Sequence, residues 1–143
     1  MPTRYKKNRF EQGITLVEML VVLAIIGLLA GLVGPAVLNQ LGGAKSKTAS
    51  VQIKDFEQSL EIFKLDVGRF PSTEEGLAAL VEKPSNVVGW NGPYLKSGVP
   101  QDPWKKPYQY KMPGDHGEYD IFTYGQDGVP GGDGENADIG SWQ

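Results

Sequence analysis

ITLVEMLVVLAIIGLLAGLVGPAVL, Ile14 to Leu38, is a run of 25 residues in which Glu18 carries the only charge and Thr15 is the only other clearly polar side chain. As a helix rising about 1.5 Å per residue it reaches roughly 37 Å, enough to cross a hydrocarbon core of about 30 Å. A cleaved secretory signal has a shorter apolar stretch, about 7–15 residues, followed by a small-residue cleavage site. Gly42-Gly43-Ala44 matches such a site only weakly, so a single-span anchor fits the length better. Neither reading explains Glu18. A carboxylate inside an apolar span costs about 2.5–3.5 kcal/mol at a helix centre and less near an end. On position alone it either snorkels to the interface or has a specific partner.

On the amino-terminal side, residues 1–13 carry Arg4, Lys6, Lys7 and Arg9 against one acid, Glu11, and read as a basic leader. On the other side, Asn39 to Gln143 is more polar, and Met112 to Gln143 holds seven acids with no Lys or Arg. The positive-inside rule keeps the leader cytoplasmic and sends residues 39–143 across the membrane, into the periplasm of a bacterium with two membranes. The chain of 143 residues, 40% hydrophobic, suffices for one modest core plus an appendage. With no cysteine there are no disulfides, thiolate ligands or cysteine nucleophile, and one histidine, His116, leaves little for a metal centre or a general base. No phosphate-binding loop is present, so the chain is not an ATPase, and nothing calls for a nucleic-acid partner. Nineteen glycines and ten prolines predict a loop-rich region.

Pro35 predicts a bend or local unwinding near Gly31 to Gly34, because it removes one helical hydrogen bond and clashes with the carbonyl of Gly31. Asn39 to Gly43 looks like a linker. Beyond it, Ala49, Ile53, Phe56, Leu60, Phe63 and Val67 recur at spacings of four and three, the mark of one apolar helix face, with Lys54, Asp55, Glu57, Glu61 and Lys64 opposite. Gly68 and Pro71 stop that helix. Ser72 and Glu75 form a capping box, predicting a second helix to about Glu82, where Pro84 ends it. Ser85 to Pro107 reads as a long loop anchored by Trp90, Tyr94 and Trp104. Tyr108 to Met112 and Glu118 to Tyr124 read as a hairpin about the turn Pro113 to Gly117, which places His116 in solvent.

Two sets of motifs resemble a known family. Gln12-Gly13-Ile14-Thr15-Leu16-Val17-Glu18, behind a basic leader and ahead of an apolar helix, resembles the class III signal of type IV pilins and pseudopilins. The resemblance implies cleavage between Gly13 and Ile14 by a prepilin peptidase and methylation of the new amino terminus, although isoleucine stands where that family usually has phenylalanine. It also implies that Glu18 of one subunit faces the α-ammonium group of its neighbour and sets register, a use for which a buried ion pair is better suited than for net stability. Phe63-Lys64-Leu65-Asp66, Arg69 to Leu77, Gln101-Asp102-Pro103-Trp104, Pro107-Tyr108-Gln109-Tyr110 and Asp138-Ile139-Gly140 together are similar to the major pseudopilins of type II secretion systems. Lys105 departs from them, occupying a position where they usually have glycine.

Tyr124 to Asp138 is glycine-rich and acidic. Asp127 to Asp138 spans twelve residues with glycine sixth, as in an EF-hand, but Val129 and Gly131 break that pattern and a strand precedes it. Composition alone favours a solvated acidic loop. The resemblance implies a calcium site, with Asp127 and Asp138 as carboxylate ligands, the carbonyls of Tyr124 and Val129, and Asp133 as a further candidate.

The resulting expectation is an α+β protein: a cleaved leader (1–13), a membrane-spanning and filament-core helix (14–38) and a periplasmic domain (39–143). In that domain the amphipathic half of the helix packs on a small antiparallel sheet bearing a calcium-binding loop. The resemblance implies a non-enzymatic subunit of the inner membrane and periplasm, which self-assembles into a pseudopilus for export of folded proteins. Its partners would be a prepilin peptidase, minor pseudopilins and an assembly platform with its ATPase. A type IV pilin, a minor pseudopilin and a membrane-anchored periplasmic hydrolase using paired carboxylates are the alternatives.

Overall fold

The computed structural model describes residues 1–3 and 13–143. The leader cations Arg4, Lys6, Lys7 and Arg9, together with Glu11 and Gln12, lie outside the described residues. Contacts divide the chain into two compact units, Met1–Leu38 and Asn39–Gln143. One helix, α1 (Leu16–Val67, 52 residues), contributes to both.

In the first unit, residues 13–33 are all exposed. Apolar residues surround the helix here, and no water-facing polar stripe exists, so the segment is built for an apolar medium. Helical backbone continues through Pro35 and through Asn39 to Gly43, so of the expected bend or unwinding the unwinding does not occur, and Asn39 to Gly43 is helix and not linker. Gly42 has a different use: it is buried, and an added Cβ would fall 2.4 Å from the side chain of Glu135. The glycine lets the carboxy-terminal loop lie directly on the helix.

In the second unit the predicted face becomes the core. Ala49, Ile53, Phe56, Leu60 and Phe63 are buried, and Val67 packs at the edge. Against them lies a three-stranded antiparallel sheet of order β1-β2-β3, comprising β1 (Gln109–Lys111), β2 (Asp120–Thr123) and β3 (Ile139–Gly140). The predicted hairpin forms with Tyr110 opposite Ile121, and β3 pairs Ile139 with Thr123. Edge-to-face contacts of Phe56 with Tyr108 and Phe63 with Tyr94 tie helix to sheet and loop.

The second α-helix is not formed. The capping-box bonds do form, from the Ser72 amide to Glu75 at 2.8 Å and from the Glu75 amide to Ser72 Oγ at 3.2 Å. They close a turn at residues 73–76, after which a single 3₁₀ turn, Leu77–Leu80, follows. Gly76 has φ +59°, which an α-helix cannot accommodate, so the chain re-enters helical backbone only as the tighter form. Thr73 holds the turn to the end of β1 by exchanging hydrogen bonds of 2.9 Å with the Met112 backbone.

The long loop is anchored as expected. Trp90 Nε1 donates to the Ala79 carbonyl at 2.8 Å, and the Tyr94 hydroxyl donates to Asp66 at 2.7 Å. Trp104 packs against the core.

Phe56→Ala should cost about 3–5 kcal/mol, since it empties the centre of this face. Val51→Ala, on the exposed face, should change stability by less than about 0.5 kcal/mol. Denaturation followed by tryptophan fluorescence reports on the second unit, which holds all three tryptophans, and equal losses would contradict this core.

Candidate functional site

At the start of α1, Thr15 and Glu18 bond reciprocally. The Thr15 amide donates to Glu18 Oε2 at 3.2 Å, and the Glu18 amide donates to Thr15 Oγ1 at 3.2 Å. This is a capping box: two of the amides that a helix start leaves unpaired find acceptors. The spacing Thr15-x-x-Glu18 carries that signal in the sequence, and the reading of Glu18 as a countercharge passed over it. The carboxylate also sits at the positive end of the helix dipole, which offsets part of its cost in an apolar phase. Gly13 and Ile14 lie in non-helical backbone just ahead of the helix. Among the described residues nothing lies within 4 Å of a Cβ added at Gly13, so packing does not require glycine there.

The carboxy-terminal loop leaves β2 through a turn at Gly125. Its φ is +72°, and an added Cβ would stand 2.6 Å from the Glu135 carbonyl, so only glycine fits. The Gln126 amide donates to that same carbonyl at 2.8 Å. Asp127 Oδ1 accepts from the Val129 amide at 3.2 Å, and Asp138 Oδ2 accepts from the Gly131 amide at 3.0 Å. Asp138 Oδ1 is buried with no partner. Asp133 precedes the 3₁₀ turn Gly134–Asn136, and its side chain makes no capping bond.

These donors suit a hard cation: an orphaned carboxylate oxygen, free valences on Asp127 and Asp133, and a chain rich in carbonyls. Among the described residues, however, no three acidic or histidine side chains converge. The aspartates alone make no cage, and backbone carbonyls such as those of Tyr124 and Val129 would have to complete a shell.

The sequence reading missed the residue that positions this loop. Asp102 is buried, with Oδ1 accepting from the amides of Trp104 at 3.0 Å and Lys106 at 2.8 Å, and Oδ2 accepting from Thr123 Oγ1 at 2.5 Å. Thr123 Oγ1 in turn accepts from the Gly125 amide at 3.3 Å. One carboxylate therefore joins the 102–106 turn to the root of the loop. The signal was present as an aspartate followed by proline, which favours side-chain-to-backbone turns. Lys105 takes the left-handed conformation in that turn, with φ +63°, a region that favours glycine.

His116 is exposed, as its place in the turn implies, but it is held in position. It stacks on Trp142 at 4.0 Å between ring centroids, and its Nδ1 lies 3.0 Å from Asp120 Oδ2. Asp120 is buried and also accepts from the Asp115 and His116 amides at 2.9 and 3.3 Å. This explains the arrangement as a clamp on the hairpin turn, with a carboxylate spent on backbone amides.

Comparison with known proteins defines the family. Residues 36–142 match the family described as "Type II secretion system (T2SS), protein G", and residues 8–34 match the "Prokaryotic N-terminal methylation motif". The chain belongs to the type II secretion system protein G family. It is 45% identical to a type II secretion system core protein G of Vibrio cholerae, over 96% of this chain and 95% of that protein. A Pseudomonas aeruginosa core protein G is 44% identical, over 95% of this chain and 98% of that one. The crystal structure of the major pseudopilin from the type 2 secretion system of enterohaemorrhagic Escherichia coli matches with TM-score 0.63 and 35% identity, covering 72% of this chain and 87% of that one. The expected fold, a long amino-terminal helix on a small antiparallel sheet, is that of this protein G family.

Burial raises the Asp120 pKa, but the hydrogen bonds from His116 and the two amides outweigh it and hold the carboxyl below its ordinary value. A carboxyl depressed in the folded state binds fewer protons there than in the unfolded chain, so its contribution is full above about pH 4 and is lost as pH falls through the folded value. Asp120→Asn should therefore cost about 1–3 kcal/mol near neutrality. The gap should narrow on acidification below about pH 4. A gap constant from neutrality to strong acid in denaturant titrations would contradict the clamp.

Proposed function

We propose that this chain is the major filament-forming subunit of a type II secretion pseudopilus. It is anchored in the inner membrane by residues 14–38, with residues 39–143 in the periplasm. The observation that carries this reading is the fully exposed apolar segment, of mean hydropathy 2.8 over its best window, headed by a capped carboxylate and continuous in sequence with a protein G domain. Such a helix needs lipid or other helices around it, and an assembling subunit uses both in turn.

Processing falls between Gly13 and Ile14. The backbone at Gly13 and Ile14 is non-helical and exposed, which leaves that bond open to a peptidase. The new α-ammonium of Ile14 is then methylated, and in the filament Glu18 of one subunit supplies the countercharge to its neighbour. Minor pseudopilins, the assembly platform and its ATPase complete the machine. The role is structural and not catalytic: the one histidine, paired with Asp120, serves to clamp a turn.

Asp127 and Asp138, the carbonyls of Tyr124 and Val129, and Asp133 would hold calcium. When bound, the ion supplies positive charge that satisfies the orphaned Asp138 oxygen and links the two ends of the loop. A ligand that binds only the folded state stabilises it by about 2.7 kcal/mol at a hundredfold excess over its dissociation constant. Calcium should raise the melting temperature over that in chelator, and Asp127→Ala should remove most of the rise; no calcium effect would overturn the site.

The two uses of Glu18 separate by substitution. Gln at this position still caps the helix but carries no charge. Glu18→Gln and Glu18→Ala should both be cleaved, as read by mass spectrometry of the mature terminus, and both should fail to form filaments. Filaments from Glu18→Gln but not Glu18→Ala would assign the residue to capping and remove the countercharge.

A further inference from the structure

The 102–106 turn sets a lysine against the carboxy-terminal loop. With its amide fixed on Asp102, Lys106 is half-buried, and its ammonium donates to the Gln126 carbonyl at 2.7 Å. A Cβ added at Gly128 would fall 2.6 Å from the same nitrogen, so the ammonium lies over the Gly128 backbone. It thus spans the two neighbours of Asp127. Among the described residues no carboxylate forms an ion pair with it, and Asp127 spends Oδ1 on the Val129 amide. An ammonium has three donors and no acceptor, so a carbonyl is its natural partner.

We propose that Lys106 is a tethered cation for this loop, bracing the Gln126–Gly128 turn without metal and lowering the affinity of the adjacent aspartates for a divalent cation. The bracing stands on the geometry alone; the effect on affinity rests on the calcium reading above. Two physical effects act together. The Gln126 carbonyl already spends one of its two lone pairs on the ammonium, which crowds a cation approaching the other. A fixed positive charge beside Asp127 repels an incoming cation, and because it is covalently held, it withdraws only by breaking its bond to Gln126. The loop of this chain should therefore be partly ordered in chelator and bind calcium more weakly than the same loop without the lysine.

The test uses the full chain in detergent, as wild type, Lys106→Gln and Lys106→Arg. Tryptophan-monitored melting in chelator and calorimetric titration with calcium are the readouts. Lys106→Gln should melt several degrees lower in chelator and bind calcium about three- to tenfold more tightly, with the difference in affinity shrinking in high salt. Lys106→Arg keeps the charge and should retain most of both properties, which a purely steric role would not predict. Unchanged melting and unchanged affinity in Lys106→Gln would overturn the proposal. A lower melting point with unchanged affinity would overturn the competition and keep the brace. If no variant binds calcium while Lys106→Gln still melts lower, the calcium reading fails and the brace stands.

Discussion

One helix face supports the whole of residues 39–143. The three strands are only two to four residues long, and a sheet that short does not hold together in water without an apolar surface to cover it. Ala49, Ile53, Phe56, Leu60 and Phe63 supply that surface, and Tyr108, Ile121 and Ile139 pack against it. The strands contribute few backbone bonds, so the loops between them are fixed by individual side chains. Asp102 closes one turn, Asp120 another, Tyr94 reaches Asp66, and Arg69 grips Glu75 with bonds of 2.7 and 2.8 Å. The Arg69 hydrogen bond holds the Glu75 carboxyl below its ordinary pKa despite some burial. A domain without disulfides is held by a small core and a set of charged or polar pegs.

The parts of this architecture legible in the sequence were those written in local periodicity. The four-three spacing from Ala49 to Val67 gave the core face, and the alternation about Pro113 to Gly117 gave the hairpin. The failures have physical causes of two kinds. Some local signals were real but overruled: the Ser72–Glu75 bonds form, yet one left-handed glycine at 76 limits them to a turn. Pro35 and Gly42-Gly43 suggest breaks, yet a long helix tolerates one missing hydrogen bond, and Gly42 turns out to make room for Glu135. Other features were non-local. The two-residue strand β3 exists only because β2 is there to pair with it, and His116 is held by Trp142, which is folded across Gly140 from far along the chain.

The candidate site divides along the same line. Gly13 ahead of the apolar helix, the carboxylate of Glu18 and the loop aspartates were singled out from residue type and resemblance. What controls them was not. Asp102 looked like part of a motif and proved to be the buried link between a turn and the loop, while Lys105 and Lys106 looked like two surface charges. Only the fold shows that the first adopts a glycine geometry and the second places its ammonium among the loop carbonyls.

The apolar segment imposes the last constraint. Among the described residues nothing buries residues 16–33, and so apolar a surface calls for lipid or other chains around it. Exchange between those two environments gains little from the hydrophobic effect, because hydrocarbon tails and packed helices are alike in polarity. Polar groups then decide the balance, and in this segment they concentrate at the helix start. There the unpaired amides need acceptors that an apolar medium cannot supply. Thr15 and Glu18 answer two of them from within the chain, and the dipole of the helix favours the negative charge where it stands. The carboxylate that is anomalous as sequence is therefore tolerable in the isolated helix.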